Sequence, residues 1–137
     1  MDKRAVDGWL EAYVSAWRSY DRAQIEALFA PDVTYRYHPY DDPVAGRDAV
    51  VASWLGEPDS PDESSRDQPG TYEAGYRAVA VDGSVAVATG STRYRDQPGG
   101  PITRIFDNCF VIRFDHDGRC VDFVEWFIER PATGGSR

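Results

Sequence analysis

The chain has 137 residues, 42% apolar and 13% aromatic, and carries fifteen Lys and Arg against twenty-three Asp and Glu for a net charge of −8. That length fits one domain, and the aromatic content is far from that of disordered acidic chains. The negative field repels phosphate backbones and anionic headgroups, and no apolar run approaches the ~20 residues that span a bilayer, so neither nucleic acid nor membrane is an expected partner. The opening stretch MDKRAVDGWLEAYV lacks the unbroken apolar segment of a secretion signal, which makes the cytoplasm the expected location.

Val6, Trp9, Leu10, Tyr13, Trp17 and Tyr20 recur at helical spacing and predict a first helix over about 4–19 with its aromatics on one side. Asp21, followed three residues later by Gln24, resembles a capping box; Ile25, Leu28 and Phe29 then make a short second helix that stops before Pro31. Alternation through Val33, Tyr35 and Tyr37 reads as a strand, which Pro39 ends just after His38. Gly46 leads into a third helix, about 47–55, carrying Val50, Val51, Trp54 and Leu55. Residues 56–70 hold three prolines, two glycines and many charges, and are expected to form a mobile surface loop and a candidate lid.

From Thr71 the β signal dominates, with strands near 71–81, 84–95, 102–114 and 119–129 separated by Asp82-Gly83, Gly99-Gly100-Pro101 and Asp117-Gly118. Helices first and a strand meander second make an α+β fold. One domain over 1–130 and a flexible C-terminal tail over 131–137 complete the expected organisation.

The last hairpin carries the sharpest local inference. A two-residue Asp-Gly loop pairs residues whose numbers sum to 235, and a four-residue turn with Asp115 opposite Gly118 gives 233. Both sums are odd, so either register puts Phe106, Asn108, Phe110, Ile112 and Phe114 on the face of Val121, Phe123, Glu125 and Phe127. Glu125 then stands in an aromatic and aliphatic surface, opposite Asn108 or Phe110. Covered by helices, it would be desolvated and its pKa raised, which makes a carboxyl a usable acid or base near neutrality.

The other face carries Ile105, Asp107, Cys109, Val111 and Arg113 beside Cys120, Asp122, Val124, Trp126 and Ile128. Three helices cannot cover both faces of a four- or five-strand sheet, so a homodimer through this outer face is expected. Cys109 and Cys120 face non-cysteine partners in both registers, so buried reduced thiols are expected rather than a disulfide. On the second meander strand the alternate residues Ala86, Ala88, Gly90 and Thr92 are small, and facing the helices they would leave room for a pocket.

Four stretches together resemble the nuclear transport factor 2-like superfamily and its SnoaL-like group, related to polyketide cyclases, ketosteroid isomerases and scytalone dehydratase. They are Tyr13-Val-Ser-Ala-Trp17 with Asp21, Ile25 to Thr34, Pro43 to Val50, and Asp107 to Phe114 with Asp117-Gly118. The resemblance runs from Val6 to Arg130 and implies a conical α+β barrel: three N-terminal helices packed in a curved, mostly antiparallel sheet, usually dimeric. In ketosteroid-isomerase-like members the general base precedes the proline that ends the first strand, the place of His38 here. Their oxyanion-donating tyrosine matches Tyr13, while their second, protonated carboxylic donor falls near Phe110. Polyketide-cyclase-like members use an aspartate of the final strands, for which Glu125 is the nearest match.

The expected cavity is lined by Trp17, Tyr35, Tyr37, Trp54, Phe110 and Phe123 and suits a small apolar ligand with one or two polar atoms. Glu125 and His38 are the candidates for moving protons, with Tyr13 and Asn108 orienting a carbonyl or hydroxyl. His116 lies in the last turn, remote from His38, and the cysteines flank another face, so no metal site is expected. No GxGxxG, P-loop, GxSxG or HExxH occurs, and no cofactor is expected. Two function classes stay open: a cofactor-free isomerase, cyclase, dehydratase or hydrolase, and a non-catalytic ligand-binding or dimeric scaffold domain.

Overall fold

The computed structural model describes residues 1–64 and 66–131. Beyond Pro131, the expected tail lies outside the described residues.

Helix α1 runs Lys3–Ser19 and is capped by Asp2, whose Oδ1 accepts the Ala5 N–H at 2.8 Å and so satisfies one donor that the first turn leaves open. Its stripe buries Val6, Trp9, Leu10 and Tyr13 as spaced. Trp9 anchors it: the indole N–H donates to the Leu28 carbonyl at 3.0 Å, and the ring packs edge-on against Phe29 and Phe114. Helix α2, Arg22–Leu28, is capped by Asp21, which accepts from the Gln24 N–H. The Gln24 side chain takes the Ser19 hydroxyl rather than reaching back, so half of the capping box forms.

Strand β1, Phe29–Arg36, begins directly after α2 instead of at Val33. Pro31 is tolerated inside it because the pairing with the last strand shifts register between Phe29 and Thr34, where no ladder bond needs its missing N–H. Strand β2, Val44–Ala45, pairs with β1, and helix α3 follows at Arg47–Leu55. The expected loop over 56–70 is partly structured: β3, Gly56–Glu57, and β4, Ser60–Pro61, form a small hairpin.

Strands β5 (Tyr72–Asp82), β6 (Val85–Arg95), β7 (Ile102–Phe114) and β8 (Cys120–Glu129) make the meander. The main sheet has six strands in the order β2-β1-β8-β7-β6-β5, not the four or five expected, because the two-residue β2 adds an edge strand beside β1. All its pairs are antiparallel except β1 with β8, and the sheet is curved and not closed. The three helices fill its concave face, where the buried apolar residues of α1, α2 and α3 meet Ala86, Ala88, Phe110, Ile112 and Phe123 in one core.

Phe110 pairs with Glu125, Asn108 with Phe127 and Ile112 with Phe123, the register of the two-residue loop. Nearer the turn the chain departs from it. Asp115 and Arg119 close a wider loop, and a bulge beside Arg113 sets Phe114 opposite Cys120. Cys120 therefore belongs to the inner face, fully buried, and not to the outer face as expected. Both cysteines are free, with Cys109 opposite Trp126.

Ala86, Ala88 and Thr92 do face the core. Gly90 leaves no room: a Cβ there would collide with the Gly75 carbonyl oxygen and the Tyr76 ring, so this glycine permits close approach of β5 rather than a pocket. Gly90→Ala should therefore destabilise the fold by about 1–3 kcal/mol, where alanine in an open strand position would be gained stability. A urea midpoint equal to or above wild type would contradict that approach.

Candidate functional site

Between the helices and the inner sheet face lies a cavity of about 400 Å³. Of the residues expected there, Tyr13, Trp17, Tyr35, Tyr37, Trp54, Asn108, Phe110 and Glu125 line it. Phe123 does not. It is fully buried behind the wall, its ring stacked on Tyr13 and on Tyr35 with centroids 5.6 and 4.4 Å away.

His38 is not a lining residue either, because β1 ends at Arg36 and the following chain folds into a turn. The Asp41 N–H donates to the His38 carbonyl at 3.0 Å, and Asp41 Oδ2 accepts the His38 N–H at 3.1 Å and lies 2.9 Å from its Nδ1. The imidazole stacks on Tyr40 and touches Phe127, a lining residue. It thus stands at the rim, where its charge still reaches Glu125.

Glu125 is the centre of the site. Burial pushes its pKa up to about 7; the hydrogen bond from Asn108 and the charge of His38 oppose the shift without cancelling it. Asn108 Nδ2 donates to Glu125 Oε2 at 2.8 Å, which turns its Oδ1 to accept from Thr92 Oγ1 at 2.9 Å. Thr92 has spent its one proton, so the hydroxyl of Tyr76, 2.6 Å away, donates to Thr92. Three groups from β5, β6 and β7 thereby fix the orientation of one carboxylate on β8.

The Tyr13 and Tyr35 hydroxyls lie 2.7 Å apart. Two hydroxyls share one bond, so one proton of the pair remains to donate to a ligand. Burial raises both phenol pKa values well above the usual range, with the Glu125 charge adding to the effect, so the pair stays protonated and acts as a donor. Tyr37 donates to Ser53 Oγ at 2.8 Å, since Ser53 gives its own proton to the Val50 carbonyl.

Several lining residues escaped the sequence reading. Tyr76 had a signal, the period-two run Tyr72, Ala74, Tyr76 and Ala78 along β5. Asp67 had none, since it comes from the charged stretch read as a loop. It lines the cavity with Trp17 and Tyr20: the Trp17 indole N–H lies 3.1 Å from Asp67 Oδ2, and the Asp67 N–H donates to Tyr20 Oη at 3.0 Å. Burial raises the Asp67 pKa, and the Trp17 bond opposes the rise. Among the described residues, no three His, Cys, Asp or Glu side chains converge as a metal site would require, and no helix is long and apolar enough to cross a membrane.

The raised pKa of Glu125 couples protonation to folding. Between the ordinary glutamate value of 4.5 and about 7 the unfolded chain has released this proton while the native state still holds it, so stability falls as pH rises through that window and levels off above it. Glu125→Gln lacks this loss. Its stability relative to wild type should grow by about 2–3 kcal/mol between pH 5 and pH 8 in urea titrations. A difference independent of pH would contradict the burial of an ionisable carboxyl here.

Sequence and structure comparisons place these features in a known context. The SnoaL-like domain profile matches residues 10–123. No curated protein matches the chain in sequence. Among solved structures, an LEH-like epoxide hydrolase from M. tuberculosis superposes with a TM-score of 0.60 at 16% identity, over 92% of this chain and 84% of its own. A candidate ketosteroid isomerase from Kribbella flavida DSM 17836 superposes with a TM-score of 0.65 at 16% identity, over 99% of this chain and 87% of its own. At such identities the two structures share the cone fold, and the profile match across most of the length shows that the chain belongs to the SnoaL-like domain family of the nuclear transport factor 2-like superfamily.

Proposed function

We propose that the chain is a cofactor-independent acid/base enzyme that moves a proton on a small, largely apolar molecule held in the cavity, with Glu125 as the transferring group. One observation carries this reading: a carboxyl fixed by Asn108 inside an aromatic cavity, its pKa pushed up to about 7. A base of that strength is ionised in a useful fraction near neutral pH and still strong enough to take a proton. Glu125 Oε1 is the oxygen free for that work, since Asn108 holds Oε2. The spare proton of the Tyr13–Tyr35 pair would bind a carbonyl or epoxide oxygen as negative charge develops on it. His38 sets the charge at the rim rather than touching the reacting atoms. The activities named for the two fold neighbours, epoxide hydrolysis and ketosteroid isomerisation, both need proton transfer, in the first to activate the water that opens the ring and in the second between carbon atoms, in keeping with this reading.

A thermal-shift screen of aromatic ketones, lactones and epoxides should find ligands that are also turned over. With Glu125 as base, kcat/KM should rise tenfold per pH unit up to about 7 and then level off. Glu125→Gln should keep ligand binding and lose at least ~100-fold in kcat/KM. Ligands bound without turnover in the wild type would favour a binding domain instead.

We also propose that a second copy of the chain covers the outer sheet face. Trp126 and Ile128 of β8 are 43% and 75% exposed there, beside Cys109, Val111 and Val124, a surface more apolar than solvent favours. The two free thiols suit a reducing compartment, which supports a cytoplasmic location. Light scattering should give twice the 15.3 kDa chain mass, and Trp126→Glu should halve it. A monomeric wild type at 100 micromolar (roughly ten to a hundred times the Kd of a stable dimer) would contradict this interface.

A further inference from the structure

The cavity's charge inventory is one-sided. Its ionisable lining consists of two carboxylic acids, Asp67 and Glu125, and phenols; no Lys, Arg or His lines it among the described residues. Arg66, Arg104 and His38 stand around the cavity without lining it, and the Arg66 Nε is buried there without a hydrogen-bond partner among the described residues. Arg66 sits over the Tyr20 ring at 5.3 Å with Nη1 3.5 Å from Glu63, and Arg104 sits over Phe106 at 4.9 Å with its guanidinium forked onto Glu129 at 3.0 and 2.9 Å. His38 is held by Asp41.

A ligand carrying a carboxylate or phosphate would therefore meet like charge in a cavity with no cation to receive it, on a chain whose net charge is already −8. The half-buried Asp67 Oδ1 accepts no side-chain hydrogen bond among the described residues, since Trp17 reaches Oδ2, and a neutral ligand without a donor would leave it to water. An ammonium group supplies the missing donor and charge. The walls near Asp67 suit it as well, because Trp17, Tyr20 and Tyr94 are electron-rich rings, and cations are attracted to such faces most strongly where water is displaced.

Resting on the reading that this cavity is the ligand site, we propose that its ligand is an aromatic or cyclic molecule bearing a basic nitrogen, with the ammonium held by Asp67 and the Trp17 and Tyr20 rings and the reacting part directed to Glu125. The segment over 56–70 then supplies a specificity residue, which explains why a charged, proline-rich stretch places an acid inside an aromatic wall. The amine anchor and the proton-transfer group are separate carboxylates, so they can be tested separately.

Calorimetric titration at pH 8 of tryptamine, tryptophol and indole-3-propionate, and of the matching phenethylamine, phenethyl alcohol and 3-phenylpropionate, tests the proposal on the intact chain. In at least one set the amine should bind at least tenfold more tightly than the alcohol, and the acid should bind most weakly. Asp67→Asn keeps the shape and an acceptor for Trp17; with its thermal unfolding checked against wild type, it should erase the amine's advantage over the alcohol. Alcohols or acids that equal or surpass the amines, amines that fail to bind at millimolar concentration, or an amine advantage that survives Asp67→Asn would each overturn the proposal. Should Asp67→Asn fail to fold, the wild-type series alone decides. Loss of the proton-transfer reading would appear elsewhere, as bound ligands without Glu125-dependent turnover, and would leave the amine preference intact.

Discussion

Alternation along a strand gives each residue one face of a sheet, and the pairing of Phe110 with Glu125 across β7 and β8 commits a carboxylate to the face that three helices cover. The rest of the site follows from that placement. Out of bulk water the carboxyl holds its proton more tightly, and one hydrogen bond from Asn108 returns only part of the lost hydration. The bulge beside Arg113 falls near the hairpin turn, so it turns Cys120 inward without disturbing the register at Glu125.

What keeps the cavity open is the way its walls are braced. Phe123 backs Tyr13 and Tyr35 from behind, and the hydroxyls of those two tyrosines bond to each other, so two large rings are fixed at its edge instead of collapsing into it. On the sheet side, the chain of donors from Tyr76 through Thr92 and Asn108 spends its protons in one direction, toward Glu125. Such a network is preorganised, and it leaves the carboxylate oxygen that Asn108 does not hold as the site's acceptor.

Much of this was legible in the order of residues. The helical stripe of α1, the turn-separated meander and the shared face of Asn108, Phe110, Phe123 and Glu125 follow from periodicity alone, and the family resemblance supplied the cone. Phe123 was assigned correctly to its face, yet that does not say whether a ring lines a cavity or backs the residues that do. His38, expected to move protons in the cavity, stands at its rim instead, because the strand ends two residues before it and Asp41 captures its ring. Asp67 escaped because its position depends on contacts with Trp17 and Tyr20 some fifty residues away in sequence, which no local pattern encodes. Gly90 shows the opposite error, in which smallness was read as empty space when the neighbouring strand fills it.

The most direct test of the central claim is to follow the Glu125 side-chain carboxyl carbon by NMR as a function of pH, with Glu125→Gln identifying the resonance. A midpoint near 7 is the predicted result. A midpoint near the ordinary glutamate value of 4.5 would mean that water reaches this carboxylate freely, and would contradict the account.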